Sequence, residues 1–164
     1  MNFSICPQDL TPSAFEEFGD VISAPGKRQV TINEGFAVRH DDLASVDVSQ
    51  RDGRPLISLF HCHRRPESLR LSLMERHPLG SQAFIPLGPS PWLVVVSAHS
   101  DPCSPEHLHV FKVSGFQGVN YRRNVWHHPV LPLVTEMDFI VIDRGGPGVN
   151  LEERSFHDIV EIVL

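Results

Sequence analysis

The chain has 164 residues, of which 41% are hydrophobic and 21% are charged. This length and composition exclude a disordered or fibrous protein and predict one domain spanning residues 1–164. The 14 basic and 20 acidic side chains give a net charge of −6, which disfavours nucleic acids and anionic membrane surfaces as partners.

One short helix is predicted near the N-terminus. Thr11 is a good N-cap residue, Pro12 suits the first helical position, and Gly19 is suited to the position after the helix end. Between Pro12 and Gly19 stands the segment AFEEF, with Glu16 and Glu17.

The rest of the chain consists mainly of short segments rich in β-branched and aromatic residues, bounded by Gly, Pro, Ser or Asp. The 11 glycines and 14 prolines suit a chain that reverses direction often. We therefore predict a mainly β fold, with the strands arranged as an antiparallel barrel or sandwich. The strand segments are expected at 44–50, 56–60, 83–87, 92–96, 107–113, 138–143 and 158–164.

The three cysteines and the apolar runs bear on the cellular compartment. The cysteines are odd in number and lack a C-x-x-C spacing, which fits a reducing compartment. The N-terminal residues do not read as a secretory signal, and the apolar run at 92–98 is too short to cross a bilayer. We expect a cytoplasmic protein with no membrane partner.

Acid–base side chains follow an apolar stripe in the middle of the chain. If the strand is regular, Leu69, Leu71 and Leu73 share a face with Glu75 and His77. Two interpretations stay open. Either the stripe lines a barrel interior and ends in a polar pocket, or Glu75 and His77 lie in water at a strand end.

Two histidines are adjacent in a later predicted strand. His127 and His128 must face opposite sides of such a strand, so only one of them can line a given cavity. The sequence does not determine which one faces inward. Tyr121 and Trp126, on the same stretch, are expected to pack rather than to bind a ligand.

An arginine ends the apolar segment at 138–143. Arg144, followed by two glycines, can bind a carboxylate through two parallel hydrogen bonds, or it can pair with Asp143 or another surface acid. The glycines are not followed by the residues of a phosphate-binding loop, and the motifs of serine hydrolases and zinc peptidases are missing from the sequence.

The spacing Glu75-x-His77-x4-Gln82 resembles the first metal motif of cupins, with Glu in place of the first His and Gln in place of the Glu. His127 falls where the second cupin motif supplies another histidine. The resemblance implies that Glu75, His77, Gln82 and His127 form a mixed oxygen and nitrogen set for a divalent ion such as nickel, manganese, iron or zinc.

Several longer motifs resemble the ureidoglycolate lyase family of allantoin catabolism, and the likeness covers nearly the whole chain. The chain departs from the family's usual residues at Glu34 and Arg122, neither of which is a predicted catalytic residue. The motifs are ERHPLGSQAFIP at 75–86, QGVNYRRNVWHHP at 117–129 and DFIVIDRGG at 138–146, supported by AFEEFGDVI at 14–22 and TINEG at 31–35.

The family resemblance implies a cupin-like β-barrel (a double-stranded β-helix), a homodimer, and nickel as the associated ion. It also implies a carbon–nitrogen lyase of purine nitrogen catabolism that cleaves (S)-ureidoglycolate to glyoxylate and urea. Our hypothesis is that His77 and His127 share the proton transfers, directly or through a metal, and that Glu75 orients an imidazole or binds the ion.

The remaining predicted contacts are to the substrate itself. Gln82 and Asn120 are expected to bind the ureido group, whose carbonyl and amide protons need amide partners. An arginine is expected to bind the carboxylate, with Arg144 the first candidate and Arg76 the second. The alternatives are another metal-dependent cupin acting on a small acid, a hydrolase that releases ammonia from ureidoglycolate, and a non-catalytic cupin that binds a small ligand.

Overall fold

The computed structural model describes residues 1–26, 28–65 and 69–164, and these form a mainly β structure with one short α-helix, which confirms the predicted fold class. The single domain over 1–164 stays a prediction. The helix is α1 (Pro12–Phe15). The strands in the described residues are β1 (Asn2–Ile5), β2 (Gln8–Asp9), β3 (Gly19–Ile22), β4 (Arg28–Ile32), β5 (Ala37–Asp41), β6 (Arg54–His63), β7 (Leu73–Arg76), β8 (Gln82–Pro86), β9 (Trp92–Ser97), β10 (His109–Val113), β11 (Gly118–Tyr121), β12 (Trp126–His127), β13 (Leu131–Pro132), β14 (Glu136–Gly145), β15 (Glu152–Ser155) and β16 (Ile159–Ile162).

The start of α1 agrees with the sequence-based prediction. The Ala14 amide donates to Thr11 Oγ1 at 3.2 Å, so Thr11 caps the helix, and Pro12 occupies its first turn. The helix is a single turn that ends before Gly19, where β3 begins. A Cβ atom at Gly19 would lie 1.9 Å from the backbone oxygen of Asn120, so the approach of β3 to β11 requires glycine at this position.

Two sheets contain most of the strands. The five-stranded sheet has the order β3-β11-β8-β14-β6, and all of its pairs are antiparallel. The seven-stranded sheet has the order β15-β7-β12-β9-β10-β2, with β13 also paired to β9. Two smaller sheets pair β1 with β16 in parallel and β4 with β5 antiparallel.

Strand β9 is buried on both faces because it separates two hydrophobic cores. Trp92, Val94 and Val96 belong to the core that also contains Phe84 and Phe139 of the five-stranded sheet, and we call it the first core. Leu93 and Val95 point the other way, into a second core that includes Met74, Trp126, Val160 and Ile162. Burial of each large apolar side chain stabilises the fold by about 1.5–3 kcal/mol before chain entropy is subtracted.

Six of the seven predicted strand segments overlap strands of the structure, and the segment at 44–50 does not. Asp47 and Ser81 exchange two hydrogen bonds there: the Asp47 amide donates to Ser81 Oγ at 2.9 Å, and the Ser81 amide donates to the Asp47 carbonyl at 2.8 Å. The prediction of a strand at 44–50 was therefore wrong. The alternation of apolar and polar residues indicated a strand, but the backbone of Asp47 in this segment makes its hydrogen bonds to Ser81 and not to a neighbouring strand.

The apolar stripe before Glu75 is also interrupted. Strand β7 begins only at Leu73, and both Leu71 and Met74 pack in the second core although their positions differ by an odd number. The predicted continuous alternation from Leu69 to His77 was therefore wrong. Only the part from Leu73 onward has the regular two-residue period.

Within the described ranges, no helix has the length and apolar character needed to cross a membrane. The three cysteines, Cys6, Cys62 and Cys103, are all free thiols.

Candidate active site

Three titratable side chains converge where β7 and β12 meet. The register places His127 directly opposite Glu75, so their side chains lie on the same face of the sheet. His77 follows the end of β7, and its ring centroid lies 5.3 Å from that of His127. One nitrogen or oxygen atom from each of Glu75, His77 and His127 lies within 4.8 Å of the other two. We call these three residues the His–Glu cluster.

The orientation of the His77 ring is fixed by a backbone carbonyl. The Nδ1–H group of His77 donates to the carbonyl oxygen of Asn150 at 2.7 Å. In the neutral ring the other nitrogen, Nε2, therefore carries a lone pair. This Nε2 atom lies 3.2 Å from Oε1 of Gln82.

His127 has the same tautomer for the same reason. Its Nδ1–H group donates to the carbonyl oxygen of Val125 at 3.0 Å, and its ring stacks on Tyr121 with centroids 4.2 Å apart and planes 11° from parallel. The Nε2 atom of His127 is buried and makes no hydrogen bond to the described residues. It faces Glu75 Oε1 at 3.5 Å, too far for a well-formed hydrogen bond.

The His–Glu cluster favours a charged carboxylate beside a neutral His77. Burial acts to raise the pKa of the Glu75 carboxyl, but the neighbouring His127 and His77 rings more than offset it, and the pKa lies below its ordinary value. Desolvation lowers the pKa of His77, and repulsion from His127 lowers it further. Burial raises the pKa of Tyr121, so the ring that supports His127 keeps its hydroxyl proton.

Gln82 is oriented by a second carboxylate. Its Nε2 amide group donates to Asp143 Oδ2 at 3.4 Å, which turns its Oε1 atom toward His77. A carboxylate accepts but cannot donate, so Asp143 selects this orientation of the amide. The other carboxylate oxygen of Asp143, Oδ1, is buried and has no hydrogen-bond partner in the described part of the chain.

The cluster therefore contains two close pairs of acceptor atoms, Nε2 of His77 with Oε1 of Gln82 at 3.2 Å and Nε2 of His127 with Oε1 of Glu75 at 3.5 Å. Lone pairs in such proximity repel unless a proton or a cation lies between them. Two imidazoles with carboxylate and amide oxygens suit a first-row divalent metal. The donor set and the buried, unpartnered Nε2 of His127 therefore fit such an ion.

His128, adjacent to His127, faces the other side of the strand. Its Nδ1–H group donates to the Pro129 carbonyl at 2.7 Å, and its Nε2 atom accepts from the Ser72 amide at 3.4 Å. Burial lowers its pKa from 6.5 to about 4, and the nearby Arg65 charge also lowers it. Of the two histidines between which the sequence left the choice open, His127 lies in the His–Glu cluster and His128 does not.

Arg76 lies on the opposite face of β7 from Glu75. Its guanidinium pairs with Glu152 Oε2, through Nε at 2.8 Å and Nη2 at 2.5 Å, and stands 4.5 Å above the Trp126 ring. The side chain therefore contributes a partly exposed ion pair and a cation–π contact on that face.

Asn120 and Arg144 lie outside the His–Glu cluster. The Nδ2 group of Asn120 donates to Asp20 Oδ2 at 3.0 Å and to the Ser45 carbonyl at 2.9 Å, while the adjacent Tyr121 faces the first core. The buried guanidinium of Arg144 donates to three backbone carbonyls, those of Gln50, Arg51 and Pro147. The structure therefore brings Gln82 to the cluster but does not bring Asn120 or Arg144 there.

Sequence reasoning missed two partners of the site. Asp143 was assigned only as a possible partner of Arg144, although a carboxylate within an apolar strand is a signal that could have been used. Asn150 contributes its backbone carbonyl to His77 and its side-chain oxygen to the Leu79 amide at 2.8 Å. A main-chain contact of this kind leaves no signal in the sequence.

The fold and the site define a small, mainly β, cupin-like protein with a polar cluster of histidine and carboxylate groups. Residues 2–163 match the family model described as ureidoglycolate lyase. The chain is 47% identical over 148 residues to a ureidoglycolate lyase of Burkholderia mallei, covering 90% of this chain and 86% of that protein. It is also similar to the ureidoglycolate lyases of Azotobacter vinelandii (43% identity, 96% of this chain and 95% of that protein) and of Pseudomonas syringae pv. tomato (44% identity, 96% and 92%). The chain belongs to the ureidoglycolate lyase family, as the sequence motifs predicted.

Proposed function

We propose that this protein is a lyase that cleaves (S)-ureidoglycolate to glyoxylate and urea. Family membership supports the reaction, and the observation that carries the site assignment is the convergence of His77 and His127 on Glu75. The substrate has a hydroxyl group and a ureido nitrogen on one carbon, beside a carboxylate. As its C–N bond breaks, the hydroxyl proton leaves, the carbonyl of glyoxylate forms, and the urea nitrogen takes up a proton.

The two imidazoles perform these proton transfers in the proposed mechanism. Because both Nδ1–H groups are bound to backbone carbonyls, Nε2 is the atom that moves a proton in each ring. His127 Nε2, which has no partner among the described residues, accepts the hydroxyl proton, and the Glu75 carboxylate stabilises the resulting positive charge. His77 Nε2, which carries a lone pair in the neutral ring, takes over this proton from His127 and passes it to the departing urea nitrogen, so the one proton lost by the hydroxyl group is the one gained by urea.

Gln82 binds the ureido group, since its amide is already oriented by Asp143. Glu75, His77, Gln82 and His127 are also the residues that would hold a divalent cation, for which we propose nickel. When bound, such an ion supplies a Lewis acid for a substrate oxygen.

For the substrate carboxylate we propose an arginine, with Arg144 the first candidate and Arg76 the second. Arg76 lies on the face of β7 opposite Glu75, where it pairs with Glu152 and stands over Trp126, so it points away from a substrate at the His–Glu cluster. Arg144 would have to exchange backbone carbonyls that it satisfies in a buried position for the carboxylate. An Arg144→Lys variant should raise KM for ureidoglycolate more than it lowers kcat, whereas Arg76→Gln should leave KM unchanged. The reverse result would contradict this order.

The decisive experiment measures glyoxylate, urea and ammonia released from (S)-ureidoglycolate. The wild-type protein should release glyoxylate and urea, and ammonia in place of urea would overturn the proposal in favour of a hydrolase. The variants His77→Asn and His127→Asn should each reduce kcat by about 10²–10⁴-fold. His157→Asn, which changes an exposed histidine outside the cluster, is the matched control and should retain full activity.

A chelator experiment distinguishes metal binding by these four side chains from proton transfer by the imidazoles without a metal. Activity that is lost on dialysis against EDTA and restored by Ni²⁺ would assign the four side chains to a cation. Activity that survives dialysis would assign the proton transfers to the imidazoles alone. Binding of ureidoglycolate with no product in either state would instead favour the non-catalytic cupin.

We further propose that the protein is a cytoplasmic homodimer. Its three free thiols fit a reducing compartment. Ile57 and Leu59 of β6 are 77% and 62% exposed, and Leu87 after β8 is 56% exposed. A group of large apolar side chains on one sheet is typical of an interface between protein copies.

A further inference from the structure

A second group of histidine and carboxylate side chains lies on strands β6 and β14, away from the His–Glu cluster. Residues two apart on a strand share a face, so His61 and His63 of β6 point to the same side. The antiparallel register places Glu136 opposite His63 and Asp138 opposite His61. All four side chains therefore project from one surface at an edge of the five-stranded sheet.

The distances bring possible metal ligands together. The rings of His61 and His63 are 4.8 Å apart, and one ligand atom each from His61, His63 and Glu136 lies within 4.8 Å of the other two. His63 Nδ1 is 3.7 Å from Glu136 Oε1, so that pair is close but not hydrogen-bonded. Exposure of all three residues gives an ion and its remaining water ligands free access.

Asp138 is the hydrogen-bond acceptor that orients the His61 ring. The Nδ1 atom of His61 lies 2.5 Å from Asp138 Oδ1, so the ring donates its Nδ1–H group to this carboxylate. The lone pair of the neutral ring is then on Nε2. A carboxylate that receives the second ring N–H of a histidine is the usual support of a metal-binding imidazole.

We propose that His61, His63 and Glu136 bind a divalent transition-metal ion such as Zn²⁺, with Asp138 as the positioning residue for His61. Two imidazoles and one carboxylate favour zinc, nickel or copper over magnesium and calcium, which prefer oxygen ligands. This site is on the five-stranded sheet, whereas the His–Glu cluster is where β7 and β12 of the seven-stranded sheet meet. The proposal does not depend on the catalytic function.

The test is the number of Zn²⁺ ions bound per chain, measured by equilibrium dialysis and metal analysis on the folded full-length protein. The double variant His61→Asn/His63→Asn should bind one ion fewer than the wild type. The control variant His157→Asn should bind the same number as the wild type, because it removes an exposed histidine from another part of the chain. Equal stoichiometry in all three proteins would overturn the proposal.

Two further measurements distinguish a metal-binding site from two exposed ion pairs that bind no metal. Asp138→Ala removes the acceptor for His61 Nδ1 but leaves the three ligands, so it should weaken Zn²⁺ binding about 10- to 100-fold at unchanged stoichiometry. In ¹H–¹⁵N spectra of the imidazoles, Zn²⁺ should shift the signals that disappear in the His61→Asn and His63→Asn variants. Failure of Zn²⁺ to shift those signals would contradict the site whatever the total amount of metal bound.

Discussion

At the scale of single residues, the hydrogen bonds of the imidazoles decide their roles. His77 and His127 both donate Nδ1–H to backbone carbonyls and direct Nε2 toward Glu75 or Gln82, whereas His128 has both nitrogens engaged elsewhere. His127 and His128 thus have different surroundings although they are neighbours in the chain, because a strand alternates its faces. The sequence predicted that alternation but could not predict which face was inside, since that depends on the packing of β12 against β7 and β9.

The burial of His128 predicts a pH-dependent stability. Its folded-state pKa of about 4 lies below the ordinary 6.5, so the unfolded chain binds the extra proton first as the pH falls. This difference in proton binding has no effect on stability above about pH 7. As the pH falls from about 6.5 to 4, it progressively lowers the free energy of unfolding, by about 2 kcal/mol at pH 5. Urea unfolding of the wild type and His128→Asn at pH 8 and pH 5 should show this difference. An equal loss of stability in both proteins would contradict the prediction.

The hydrogen bond from Gln82 to Asp143 predicts a loss of activity on removal of that carboxylate. In Asp143→Asn the new amide can present either its oxygen or its nitrogen, so Gln82 is no longer held with Oε1 toward His77. We expect kcat for ureidoglycolate to fall about 10- to 100-fold, as for other residues that orient an active group. Asp9→Asn, at an exposed position of strand β2, is the control. Full activity of Asp143→Asn would show that Gln82 needs no such support.

At the scale of secondary-structure elements, the close approach of β3 to β11 predicts a strict requirement for glycine at Gly19. A methyl group there would overlap the Asn120 carbonyl, a backbone atom that cannot move without breaking the β3–β11 pairing. Gly19→Ala should lower the free energy of unfolding by about 1–3 kcal/mol. Gly88→Ala places its methyl group in open space and should be close to neutral in the same denaturation experiment. Equal stability of the two variants would contradict the close approach.

Capping residues and β-branched runs in the sequence predicted helices and strands well where the packing in the fold agrees with the local propensity. The capped turn at Thr11 and the β-branched run of β9 were both found from the sequence. The segment at 44–50 was assigned wrongly, because its alternation is not matched by a neighbouring strand and its backbone binds Ser81 instead. At the site, spacing linked His77 to Gln82, but the contacts of Asn120 and Arg144 depend on loops that have no sequence pattern.

At the scale of the whole molecule, the apolar side chains on the outer surface of the five-stranded sheet predict self-association. Sedimentation of the wild type should show a dimer. Leu59→Arg should shift it toward the monomer, because an unpaired charge at an apolar interface costs several kcal/mol. Phe116→Arg, at an exposed position outside the sheets, should leave the dimer intact. A monomeric wild type at all concentrations, or a Leu59→Arg variant that stays dimeric, would contradict this interface.

Because β9 contributes alternate side chains to both hydrophobic cores, neither core can loosen without disturbing the other. Truncations of Val94 and Val95, which point in opposite directions, should therefore be energetically coupled through the backbone that they share. The same arrangement predicts slow amide hydrogen exchange for β9, because its amide protons are expected to reach solvent only when both cores open together.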